Sequence, residues 1–134
     1  MIRRMALARR FVVVCAAYNL AGAAALLVPG SLDALGVHEP ASRFWLLMPA
    51  VFAAFVAGVL LAASRDVERY AAVPFWNGVA RLVFAVVALG LGYAGEAGAP
   101  MVWMAIGDVF LAAGAIVGLP LLLRLTPRQL LLRP

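Results

Sequence analysis

The sequence contains no lysine, one cysteine and one histidine. Without lysine there is no amine for a retinal Schiff base. The single Cys15 excludes an intrachain disulfide and a C-x-x-C redox pair. With His38 as the one histidine, a zinc, iron–sulfur or bis-histidine haem site within one chain is not expected. We therefore predict no metal and no cofactor.

Charge is also scarce, at 13% of the 134 residues, whereas hydrophobic residues make up 66%. A soluble domain is about 45–50% apolar and about a quarter charged. A globule this small buries too little of its surface to hide so many apolar side chains. Composition therefore excludes a soluble enzyme, a nucleic-acid-binding domain and a disordered chain. It predicts an integral membrane protein in contact with the lipid bilayer.

The apolar residues fall into four stretches, each near the roughly 20 residues that a helix needs to cross a bilayer core. Trp45, Trp76 and Trp103 each lie within three residues of the start of a stretch, at the interfacial depth that amphipathic rings prefer. This pattern predicts an all-α, single-domain, four-helix transmembrane bundle. The predicted spans are residues 11–28, 44–63, 74–93 and 101–123.

All eleven basic residues are arginines, and their distribution predicts the orientation. One flank carries Arg43 alone, and Arg81 lies inside the third span. By the positive-inside rule both termini are expected in the cytoplasm. The basic leader and the small residues Ala21-Gly22-Ala23 are compatible with a cleaved signal peptide, but we expect the first span to be retained as an anchor. A lysine-free chain rich in Ala and Arg is typical of GC-rich bacteria, so we expect the bacterial inner membrane. The other flank carries nine arginines: Arg3, Arg4, Arg9, Arg10, Arg65, Arg69, Arg124, Arg128 and Arg133.

A shift of 58 residues aligns the first two spans with the last two. Tyr18 and Asn19 then fall on Trp76 and Asn77, and Trp45 falls on Trp103. Both halves would start on the same side of the membrane, which indicates a parallel repeat of two tandem helical hairpins. Shared composition and a shared aromatic belt are the alternative explanation.

The fourth span carries glycines on one face. Gly107, Gly114 and Gly118 share a broad arc at 100° per residue, and Gly114 to Gly118 form a G-x-x-x-G motif. Small residues let membrane helices approach closely, so these glycines are predicted to pack either within the bundle or at a dimer face. Pro120 is expected to kink or end this helix.

Four polar residues inside the spans need partners. Asp108 is the one acid within the predicted spans, and a centred carboxylate costs about 2.5–3.5 kcal/mol on insertion scales. Arg81 lies about 10 Å from it in depth at 1.5 Å per residue. Asn77 shares the face of Arg81, and Asn19 lies near the middle of the first span. We predict one cluster in the bundle core, which either binds a substrate or proton or pins the helix packing.

The overall plan resembles the DoxX-like group of small bacterial membrane proteins, with four spans, cytoplasmic termini and a Gly/Ala-rich interior. The segment Tyr18-Asn19-Leu-Ala-Gly22 leading to Pro29 also resembles the start of other small four-span bacterial proteins. Neither resemblance implies a catalytic motif. We expect a non-enzymatic accessory or assembly subunit that contacts lipid and a membrane protein partner or a second copy. The alternative is a membrane-embedded enzyme or proton-coupled carrier for a lipophilic molecule, with Asp108 as its candidate catalytic or proton site.

Overall fold

The computed structural model describes residues 2–38, 40 and 42–132, and no strand occurs among them. The prediction of an all-α four-helix bundle is confirmed. Arg133, one of the nine orienting arginines, lies outside the described residues. The helices that are long and apolar enough to cross a membrane cover Arg3–Leu26, Arg43–Ala63, Ala72–Tyr93 and Ala99–Leu123.

The chain forms seven helices and one wide turn in the described region. The fourth membrane-length helix, which we call the fourth crossing, is continuous over Ala99–Leu123. It consists of two α-helical segments joined by a π-helical turn at Gly114–Gly118. The α-helices, in chain order, are α1 (Ile2–Leu26), α2 (Ser31–Ala34), α3 (Arg43–Ala63), α4 (Ala72–Tyr93), α5 (Ala99–Ala113), α6 (Leu119–Leu123) and α7 (Pro127–Leu132).

The first helix begins nine residues before the span predicted from hydropathy. Residues 2–10 contain no Gly or Pro and consist mostly of strong helix formers, so the basic leader continues the helix. The helix ends at Leu26, and Pro29 and Gly30 follow. Gly30 has φ of 77°, a left-handed conformation that glycine adopts without a steric penalty.

Successive membrane-length helices pair as two hairpins, in which α1 packs mainly on α3 and α4 mainly on α5. Small side chains make the second pairing close. A Cβ built on Gly78 would lie 2.6 Å from the Cβ of Ala115, and one on Gly92 would lie 2.5 Å from Cγ2 of Val102. These two contacts, at opposite ends of the interface, show that α4 and α5 run antiparallel.

The three glycines of the fourth span differ in their surroundings. A Cβ on Gly114 would lie 2.7 Å from Cε2 of Phe11, so this glycine admits the aromatic ring of α1. Gly107 and Gly118 have nothing within 4 Å of that position. Within the described chain, only the first glycine of the G-x-x-x-G motif is therefore at a close helix contact.

Pro120 does not end the fourth crossing. The N–H of Leu119 bonds the carbonyl of Gly114, five residues earlier, and the helix continues to Leu123. Proline has no N–H to donate to the preceding turn, and a wide turn next to it accommodates that loss. The helix stops at Arg124, whose φ of 56° is left-handed.

Candidate functional site

Arg81 of α4 and Asp108 of α5 form an ion pair inside the bundle. The Nη1 atom of Arg81 donates to Oδ1 of Asp108, and the two residues are only 5% and 4% exposed. The antiparallel register sets Asp108 level with Ala85, so the Arg81 side chain spans about one helical turn, roughly 6 Å, to reach it. Two opposite charges therefore meet where neither contacts lipid.

The guanidinium of Arg81 also binds three acceptors on α4 and α1. Its Nε donates to Oδ1 of Asn77 at 3.1 Å, one turn earlier on the same helix. Its Nη2 donates to Oδ1 of Asn19 at 2.7 Å and to the backbone carbonyl of Cys15 at 3.2 Å. With the ion pair this makes four hydrogen bonds, close to the five N–H donors that a guanidinium has. One side chain thus connects α1, α4 and α5.

Tyr18 covers the ion pair from α1. Its ring centroid lies 4.6 Å from Cζ of Arg81, within cation–π range, and its hydroxyl donates to Oδ2 of Asp108 at 3.4 Å. Both carboxylate oxygens of Asp108 are therefore engaged. Sequence reasoning named no partner for Tyr18. The available signal was its position next to Asn19 in the middle of a span, far from the interfacial depth where tyrosine is common.

The two asparagines occupy equivalent positions under the 58-residue shift, and both bind the same guanidinium. Arg81 and Asp108 have no such counterparts, because Ala23 and Ala50 occupy the matching positions. The cluster is therefore asymmetric even if the chain arose by duplication. The amide nitrogen of Asn19 is buried and has no hydrogen-bond partner among the described residues.

The polar cluster, defined as Tyr18, Asn19, Asn77, Arg81 and Asp108, can be compared with three surface grooves of the protein. Three grooves open near the arginine-rich end, and none of the three is lined by a cluster residue. Within residues 2–132, apart from positions 39 and 41, no three His, Cys, Asp or Glu side chains are close enough to hold a metal ion.

The arrangement has zero formal charge when the pair is ionised, and its carboxylate is already hydrogen-bonded. Such a group is suited to holding helices in one register, since a polar side chain in the membrane interior needs a partner within the protein. Both oxygens of Asp108 already accept a hydrogen bond, one from Arg81 and one from Tyr18. The side chains of Asn19, Asn77, Arg81 and Asp108, singled out from the sequence, lie within one network.

Comparison of the chain with family models, curated proteins and solved structures finds no match.

Proposed function

We propose that this chain is a non-enzymatic accessory or assembly subunit that acts through helix and lipid contacts. The observation that carries the proposal is the closed cluster around Arg81, in which the ion pair is buried and engaged. The polar residues that would serve catalysis or transport are instead used to join three helices. The function then depends on the outer faces of the helices.

The outer face of α3 is the best candidate for contact with another protein. Five large side chains lie within an arc of about 120° at 100° per residue, and each is more than half exposed. Aromatic residues are enriched at protein interfaces, which favours a partner helix over lipid alone at this face. The five are Phe44, Trp45, Val51, Phe52 and Phe55.

Photo-crosslinking in native membranes tests this role. A photoreactive phenylalanine analogue is placed at Phe55 on α3 or, as a matched control, at Phe110 on α5, since these rings are 67% and 74% exposed. We expect a discrete protein adduct from position 55 and lipid adducts alone from position 110. Lipid adducts alone from both positions would contradict the proposal.

Proton flux through liposomes separates the subunit role from a proton-coupled carrier. If the chain is a subunit, the wild-type chain and Asp108→Asn are expected to show the same proton permeability. Proton flux that is present in the wild type and lost in Asp108→Asn would overturn the subunit role and favour a proton-coupled carrier. Refolded yield of the variant, checked by circular dichroism, controls for misfolding.

For location, we propose the bacterial inner membrane with both termini in the cytoplasm. The support is the placement of the described arginines. Arg4 and Arg124 line one groove together, which places the start of α1 beside the end of α6. Arg43, by contrast, is the first residue of α3, at the opposite end of the bundle. Orientation is testable by fusing a reporter that is active only in the periplasm to either terminus. Activity of that reporter at either terminus would contradict the cytoplasmic placement.

A further inference from the structure

The groove with the largest volume of the three is lined by both charged and apolar residues. Its volume is about 880 Å³, and it runs along α1 beside the link between α3 and α4. Arg9 and Arg10 of α1 and Arg65 of the link contribute three exposed guanidinium groups. We call it the arginine groove. Its other lining residues are Met5, Ala6, Val13, Val14, Ser64, Asp66 and Val67.

The lining changes from charged to apolar along the direction of α1. Val13 and Val14 lie four residues after Arg9 and Arg10, which is one turn, about 6 Å, further into the membrane. The two valines are 38% and 55% exposed. The order of groups, guanidinium first and branched hydrocarbon next, follows the order of a phospholipid from phosphate to acyl chain.

The charge of the groove selects the sign of its occupant. Three arginines face one acid, Asp66, whose Oδ1 also accepts the backbone N–H of Arg69 at 3.1 Å. The net charge is therefore positive. Guanidinium groups bind phosphate oxygens in paired hydrogen bonds, and basic pockets at the membrane surface are typical sites for anionic headgroups.

We propose that the arginine groove binds an anionic phospholipid of the adjacent leaflet. The phosphodiester is held by Arg9, Arg10 and Arg65, and an acyl chain follows Val13 and Val14. A zwitterionic lipid binds less tightly because its own cation faces the guanidinium groups. The proposed function includes contacts with lipid, and this inference specifies an anionic phospholipid as the lipid. It therefore rests on that part of the proposed function.

Native mass spectrometry of the detergent-purified chain tests the site, with phosphatidylglycerol and phosphatidylcholine as probes. The variant Arg9→Gln/Arg65→Gln removes two groove charges, and Arg43→Gln/Arg128→Gln removes two charges elsewhere. At about 1 kcal/mol for each arginine near a membrane surface, the groove variant is expected to bind phosphatidylglycerol about 30-fold more weakly. The control is expected to stay within about threefold of wild type, since neither Arg43 nor Arg128 lines the groove.

Two further arms separate a lipid site from a simple phosphate site. Ala6→Trp fills the groove without changing its charge and is expected to weaken phosphatidylglycerol binding as well. Excess inorganic phosphate is expected to leave the lipid bound, because it makes no contact with the valines. Equal affinity for the two lipids, an unaffected groove variant, or displacement by inorganic phosphate would each overturn the proposal. Failure of the Phe55 crosslink would leave these lipid measurements unchanged.

Discussion

The interface between α1 and α3 and the one between α4 and α5 use different chemistry. In the first hairpin the buried residues are apolar, with Ala8, Val12 and Ala16 of α1 close to Leu60 of α3. In the second, alanines and glycines flank the buried ion pair of Arg81 and Asp108. In lipid the hydrophobic effect does not drive helices together, so the first hairpin depends on van der Waals packing, whereas the second adds a buried ion pair to such packing.

That difference assigns distinct roles to the two hairpins. The ion pair fixes the register of the second hairpin. Its guanidinium also donates hydrogen bonds to Asn19 and to the Cys15 carbonyl of α1. The first hairpin contributes acceptors and the Tyr18 ring but carries no buried charge of its own among the described residues. The second hairpin is therefore the part of the fold that specifies how the two halves meet.

The largest expected effect is that of Arg81→Ala, which leaves the Asp108 carboxylate buried without a cation. Breaking one side of a buried pair costs about 3–5 kcal/mol. We expect a loss of that size in the free energy of unfolding, measured by titration with denaturing detergent. Arg43→Ala, which removes an exposed arginine at the start of α3, is the control and should cost about 0.5 kcal/mol or less.

A double variant sharpens this result. Arg81→Met/Asp108→Leu replaces both charges with apolar groups, and such replacements are often neutral or stabilising. We expect most of the lost stability to return, while a double-cysteine crosslink between α1 and α4 becomes less specific in register. A double variant as unstable as Arg81→Ala would mean that packing volume, not charge, dominates at this site.

In the first hairpin, Leu60→Ala tests the apolar interface. Leu60 is fully buried, and leucine-to-alanine changes in cores cost about 2–5 kcal/mol. We expect about 2 kcal/mol here, since helices separated within lipid lose packing contacts but gain no exposure to water. The same detergent titration measures it, with the exposed Leu61→Ala as control. A loss larger than that of Arg81→Ala would reverse the comparison.

Glycine contacts in the second hairpin give a smaller effect with a contrasting control. Gly78→Ala places a methyl group 2.6 Å from the Cβ of Ala115 and should destabilise by about 1–2 kcal/mol through overpacking. Gly107→Ala meets nothing within 4 Å and should be neutral or slightly stabilising, because alanine has the higher helix propensity. Equal effects would show that α4 and α5 can separate without cost.

The smallest expected effect is that of Tyr18→Phe, which removes the hydroxyl that donates to Asp108 and keeps the ring over Arg81. Interhelical hydrogen bonds in membranes average about 0.6 kcal/mol, and the 3.4 Å separation is long. Tyr18→Leu also removes the cation–π contact and should cost about 1 kcal/mol more. Identical stabilities for the two variants would assign the ring no role.

The fold was predictable from hydropathy, because charged residues, prolines and glycines lie at the ends of the apolar segments. The third span, for example, was predicted at 74–93 and the helix covers Ala72–Tyr93. The π-helical turn at Gly114–Gly118 was not predicted. A proline near glycines is compatible with a kink, an end or a wide turn, and the choice depends on neighbouring helices such as α1, whose Phe11 contacts Gly114.

The candidate site was predictable in composition but not in geometry. Asn19, Asn77, Arg81 and Asp108 could be selected because each polar side chain in hydrocarbon needs a partner. Span boundaries gave about 10 Å between Arg81 and Asp108 in depth. The helix register shortens this to about 6 Å, and register depends on contacts such as Gly78 with Ala115 that residue types do not reveal. A backbone acceptor such as Cys15 is likewise invisible in a list of side chains.

The position of Arg81 along the chain also orders events during synthesis. When α4 emerges from the ribosome, α1 is already made, so Asn19 and the Cys15 carbonyl are the earliest interhelical partners for the guanidinium. Asp108 follows only 27 residues later. Because an arginine at mid-membrane raises the cost of insertion by about 2.5–3.5 kcal/mol, we expect α4 to leave the translocon together with α5. We then expect biogenesis to proceed by hairpins, with Asn19 and the Cys15 carbonyl of the first half in place before the second half inserts.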